Sequence, residues 1–125
     1  MFRLTLTMFA CYLSLASIAQ DSASLSGNWS AKYEYPPGRM VEAIVQINGD
    51  SGTWQILQRN RNDLCLGRKY PVAISRVAPA GFDVAVNASK SLRGCQDFSA
   101  LLQPVDANSF AGKFQDGTPV TLTRK

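Results

Sequence analysis

From residue 27 onward the chain alternates. In Gly27 to Tyr35, Trp29, Ala31, Tyr33 and Tyr35 fall on one face, and Asn28, Ser30, Lys32 and Glu34 on the other. That period of two marks a half-buried strand. Pro36-Pro37-Gly38 ends it, because proline fixes φ and glycine accepts positive φ. Met40 to Asn48 repeats the pattern, with Val41, Ala43, Val45 and Ile47 opposite Glu42, Gln46 and Asn48. The run Asn48-Gly49-Asp50-Ser51-Gly52 reads as a hairpin turn. It leads into Thr53 to Gln58, with Trp54 and Ile56 inward.

The pattern continues to the C-terminus. A polar loop, Arg59 to Asp63, precedes a β-branched run from Tyr70 to Val77. Pro79 and Gly81 turn the chain into Phe82 to Ala88, with Phe82, Val84 and Val86 inward. Ser89 to Gly94 reads as a loop or one helical turn. Phe98 to Val105, Phe110 to Phe114 and Pro119 to Arg124 complete the set, separated by Asp-, Asn- and Gly-containing turns. Eight short strands with no helical period predict an all-β antiparallel meander. Short connections favour pairing of sequence neighbours, and eight strands suffice to close an up-and-down barrel without exposed edges. A β-sandwich is the alternative.

The first 19 residues break the alternation. Arg3 is followed by an uncharged run, Leu4 to Ala19, ending in Ser17-Ile18-Ala19. This reads as a secretory signal, too short and too rich in Ser and Thr for a membrane span. Cys11 lies inside the apolar run, too early for a lipid-attachment cysteine. The expected organisation is therefore a signal peptide at 1–19, a loose tail at 20–26 and one barrel domain at 27–125, exported to a periplasmic or extracellular space. Two cysteines remain after cleavage, and an oxidising compartment makes a Cys65–Cys95 disulfide the expectation. Loss of Arg3 leaves 12 basic and 9 acidic residues, a net charge of +3. So mild an excess predicts neither specific nucleic-acid binding nor membrane binding.

With the strands placed, the chain resembles the calycin architecture of lipocalin- and avidin-type barrels. The residues that carry the resemblance are Gly27-Asn28-Trp29 in the first strand and Arg124 in the last. In that architecture a Gly-x-Trp opens the first strand, and an arginine of the last strand packs across the tryptophan. The resemblance thus implies that Gly27, Trp29 and Arg124 close one end of the barrel. The lipocalin Thr-Asp-Tyr motif is absent, so the resemblance speaks for architecture and not for a ligand.

Chemistry is constrained by what the chain lacks. It contains no histidine, which excludes serine–histidine and cysteine–histidine nucleophile systems and removes the commonest metal ligand. The aspartates sit mostly in turns, where they cap backbone donors. Glu34 and Glu42 flank one hairpin and could face each other, but on the outer face, where solvated surface acids are the expectation. No phosphate loop, dinucleotide fingerprint or calcium spacing is present. No enzyme activity, metal or cofactor is expected. Arg59, Arg61, Arg68, Lys69 and Arg76 make the densest basic segment. Together with Tyr33 and Tyr35, the residues Arg59, Arg61, Arg68 and Lys69 form the candidate binding rim. An eight-stranded barrel is just wide enough to be filled by side chains or to hold one small ligand. The stock of bulky inward residues favours filling. The expected function is a monomeric, non-catalytic exported binding module for a protein or cell-envelope component. The alternative is a carrier of a small apolar ligand at the barrel mouth, near Tyr33 and Tyr35.

Overall fold

A computed structural model describes residues 25–57, 63–77 and 80–125. The expected signal segment, most of the expected tail, Arg59 and Arg61 lie outside the described residues. The strands are β1 (Gly27–Glu34), β2 (Met40–Asn48), β3 (Ser51–Ile56), β4 (Lys69–Val77), β5 (Gly81–Val86), β6 (Phe98–Asp106), β7 (Ser109–Phe114) and β8 (Pro119–Arg124). One helical turn, α1 (Ala88–Ser91), precedes β6. Each strand pairs antiparallel with its sequence neighbour, and β8 returns to β1, closing an all-β barrel in the order β1 to β8. The barrel, and not the sandwich, is the fold.

The register follows from the alternation. Trp29, Ala31 and Tyr33 pair with Val45, Ala43 and Val41 on one side, and with Arg124, Leu122 and Val120 on the other. A slip of one residue would turn all these apolar groups outward, so burial fixes the pairing. Small residues admit close approach where large rings fill the lumen. A Cβ on Gly112 would stand 1.7 Å from the Leu101 carbonyl oxygen, so only glycine permits the β6–β7 pairing at that point. Near it, β6 carries an irregularity between Pro104 and Asp106.

One expectation about β1 is corrected, and one possible pairing is absent. Tyr35 does not extend the inward face. The strand ends at Glu34, and Tyr35 stands 62% exposed, because the next two residues are prolines that donate no ladder hydrogen bond. Glu34 and Glu42 are not opposed either. Glu34 faces Met40 and Glu42 faces Lys32, while the Glu42 carboxylate accepts from the Ser30 hydroxyl at 2.9 Å.

Candidate functional site

The barrel has two unlike ends. At the first, β1 begins and β8 finishes. Gly27 has φ of +133°, and a Cβ there would meet Arg124 Nη1 at 2.6 Å. The backbone conformation therefore favours glycine, and its bare Cα also leaves the guanidinium in place without a shift. Arg124 lies over the Trp29 ring at 4.2 Å from its centroid, and its Nη1 donates to the Ser26 carbonyl at 3.0 Å. The Trp29 indole N–H donates to the Leu25 carbonyl at 2.7 Å. Phe110 packs edge-on against Trp29 and Phe82, and Arg76 covers Phe82 at 5.8 Å. Arginine over an aromatic face combines charge–quadrupole attraction with burial of the ring. Arg76 thus lies at the opposite end from Arg68 and Lys69, the other described members of its basic segment.

At the second end, β1, β3, β5 and β7 finish, and the described connecting residues 35–39, 57, 63–68, 87–97 and 115–118 lie there. The Cys65–Cys95 disulfide joins two of these loops, with Cα atoms 5.7 Å apart. The bridge spans a 30-residue separation, which stabilises a fold by about 3–4 kcal/mol in the chain-entropy picture. The Tyr70 hydroxyl donates to the Cys65 carbonyl, so the stapled loop is also tied to β4. Inside this end, Tyr33, Trp54, Phe98 and Phe114 pack mostly edge to face, with centroids 4.8–6.3 Å apart. Such pairs add about 0.5–1.5 kcal/mol each beyond burial.

One polar atom in this cluster is unsatisfied. Trp54 is fully buried and its Nε1 has no hydrogen-bond partner. The indole N–H lies close enough to the Tyr33 hydroxyl to favour its ionised form, although the geometry falls short of a hydrogen bond. Burial outweighs that effect and pushes the Tyr33 phenol from 10.0 up to about 12. Tyr33 is therefore neutral at physiological pH and no general base. The carboxylates point the same way. Asp97 is held below the usual range by the Ser89 backbone N–H and hydroxyl. Asp106 and Asp116 are lowered by the backbone N–H groups of Asn108 and Thr118. These acids cap turns and stay ionised, the opposite of what a general acid needs. Among the described residues no group of three or more Cys, Asp or Glu could hold a metal ion.

The rim residues separate. Tyr33 belongs to the inner cluster and is only partly exposed, whereas Tyr35, Arg68 and Lys69 are exposed around the stapled end. Arg68 Nε donates to the Leu64 carbonyl at 3.0 Å, and Lys69 pairs in register with Gln55. The structure adds residues that the alternation did not single out. Met40, Leu57 and Leu64 are all exposed at this end. Leu57 donates its N–H to the Glu42 carbonyl. That extends the β2–β3 register by one residue and sets Leu57 diagonal to Met40 on the outer face. The available signal was a large apolar residue on a polar face, Met40 opposite Glu34, and another, Leu64, inside a polar loop.

Asn28, Gln46, Asn48 and Thr53 line a shallow hollow on the outer wall, away from the rim. None of the described helices is long and apolar enough to cross a membrane. No family model matches the chain, and no curated protein matches its sequence. A solved structure described as a redesigned beta barrel is similar, with 16% identity and a TM-score of 0.56, over 83% of this chain and 94% of that one. At that identity the likeness concerns the fold: a small closed antiparallel barrel of eight strands.

Proposed function

We propose that this protein is an exported, non-catalytic binding module that engages a cell-envelope component or protein through its stapled end. The observation that carries the reading is the gathering of Tyr35, Met40, Leu57 and Leu64 with Arg39, Arg68 and Lys69 around that end. Large apolar groups left exposed together on a small barrel are a usual sign of an interaction site. The disulfide fits an oxidising compartment. The calycin resemblance belongs to the same reading, supported by the packing of Arg124 on Trp29. The test is cross-linking capture from envelope extract, with the mature protein and an Arg59/Arg61/Arg68/Lys69→Ser variant as baits. A product formed by the first and lost in the second is expected. Identical products from both would remove the rim from the site.

One observation favours a second reading, a carrier of a small apolar ligand at the mouth. The Trp54 indole N–H is buried and unpartnered beside Tyr33, and a ligand's acceptor atom would satisfy it. Native mass spectrometry of protein purified from its own source separates the two. An adduct lost in Trp54→Phe supports the carrier, and the bare mass of the disulfide-bonded chain supports the module.

A further inference from the structure

We infer that the stapled end docks on an anionic lipid surface. This deepens the binding-module reading and rests on it. Four large apolar side chains stand at this end, between 37% and 69% exposed: Tyr35, Met40, Leu57 and Leu64. They come from two neighbouring connections: residues 35–39 with the start of β2, and the described residues 57 and 63–68 between β3 and β4.

Two of them are coupled to an arginine. Tyr35 donates its N–H to the Arg39 carbonyl at 2.9 Å, and the Arg68 side chain bonds the Leu64 carbonyl. Lys69 follows directly. Arg39, Arg68 and Lys69 are exposed, and none forms an ion pair with a described residue. Of the acids nearby, Glu42 accepts from the Ser30 hydroxyl, and two others are turned to their own backbone. Glu34 accepts from the Gly38 N–H and Asp63 from the Cys65 N–H.

Apolar tips beside unpaired cations supply the two signals that reversible membrane association needs. Aliphatic and aromatic groups enter the acyl boundary, and cations meet the anionic headgroups. The charge and polarity of the exposed groups favour a bilayer over a protein. Here Arg39, Arg68 and Lys69 are exposed at the same end as Tyr35, Met40, Leu57 and Leu64, at strand ends and in connecting segments, and this pairing of cations with apolar groups is the chemistry an anionic bilayer surface takes up. A lipid surface needs no matching relief.

The molecule carries its own control. Leu101 and Val105, on β6 across the barrel, are also exposed but lie apart from the 35–39 and 57–68 connections. The experiment is flotation of the purified, disulfide-bonded protein with vesicles of phosphatidylcholine containing about one-third phosphatidylglycerol, against phosphatidylcholine alone. Binding to the anionic vesicles only is expected, weakening as salt rises. Met40→Ser with Leu64→Ser should reduce binding at least tenfold. Arg39→Gln with Arg68→Gln should reduce it about twenty-five-fold, at about fivefold for each charge. Leu101→Ser with Val105→Ser should leave it unchanged.

Absence of flotation with anionic vesicles overturns the inference, and so does an equal loss in the Leu101/Val105 variant. If the vesicles are inert while the rim cross-links to a folded protein, the lipid assignment fails and the binding-module reading stands. If both assays are silent, both fall.

Discussion

The two ends of the barrel are closed by different physics. At the Trp29 end every element of the closure is a short-range, directional contact. The indole N–H has its carbonyl, the guanidinium has a ring face and a carbonyl, and Gly27 leaves room for both. At the Trp54 end the indole N–H has no partner, and the loops are held by a covalent bond between Cys65 and Cys95. A closure made of hydrogen bonds constrains every residue that joins in it. A staple constrains two residues and leaves the rest of its loops to other demands. This fits the four large apolar side chains standing in solvent at the stapled end, whereas at the Trp29 end Leu25, Trp29 and Phe110 are covered and Val105, near the finish of β6, is exposed.

The largest effect that would break the comparison is removal of the staple. Cys65→Ser with Cys95→Ser should destabilise the protein by about 3–4 kcal/mol, read as a clear drop in melting temperature. The all-β circular dichroism spectrum at room temperature should persist, because the strand pairings do not depend on the bridge. Loss of the β signal at room temperature would show that the bridge holds the whole barrel.

The next largest effect is on the alkaline side. Tyr33 has a folded pKa of about 12 against an ordinary 10.0. A raised folded pKa favours the neutral form, so its contribution is fully present below pH 10. It is lost as pH rises from 10 to 12, because the unfolded chain ionises first. The difference amounts to about 2–3 kcal/mol. Urea denaturation across that range should show stability falling with pH, and Tyr33→Phe should flatten the fall. An unchanged slope in the variant would place the Tyr33 hydroxyl in water and weaken the case for a dry aromatic cluster at the stapled end.

The tryptophans offer a direct comparison. Trp29→Phe leaves the Leu25 carbonyl without its donor and removes the surface on which Arg124 rests. It should cost about 2–3 kcal/mol. Trp54→Phe removes a donor that has no partner, so the volume loss is offset by relief of an unsatisfied group, and the cost should stay near 1 kcal/mol. Chemical denaturation of the two variants checks the order. Equal costs would mean that Trp54 Nε1 is satisfied after all.

These contrasts also show how much a single sequence carries. The strands and their register are legible because alternation is enforced by burial on one face, and a slip would expose Trp29, Val45 and Trp54 together. The disulfide is legible because only two cysteines follow the apolar leader. Tyr35 misleads because it continues the alternation one residue past the strand, and only the cost of two consecutive prolines tells otherwise. The rim is the least legible part. Alternation predicts where an apolar residue would be buried, but Met40, Leu57 and Leu64 sit at strand ends and in a loop, where the period gives no instruction. Arg76 shows the same limit. It is close in sequence to Arg68 and Lys69, yet eight residues of extended strand carry it to the opposite end.

The smallest predicted effect concerns Asp97, which belongs to the stapled end. Its carboxylate accepts from the Ser89 backbone N–H at 2.8 Å and from the Ser89 hydroxyl at 2.9 Å. It thereby ties α1 to the segment between Cys95 and β6. The folded pKa is lowered by these bonds, so the stability they contribute is present above the ordinary carboxylate range and is lost as pH falls through the folded value. Asp97→Asn keeps an acceptor but removes the charge. The melting temperature of the variant should therefore be slightly lower than wild type at neutral pH and should converge with it on acidification. Asp106→Asn, at the Trp29 end, should behave alike in isolation. With the disulfide reduced, however, the Asp97 effect should grow, because the Ser89–Asp97 contact then holds part of the 87–97 loop alone, while the Asp106 effect should not change. If both variants respond equally to reduction, the coupling between staple and loop fails, and the two ends are not stabilised independently.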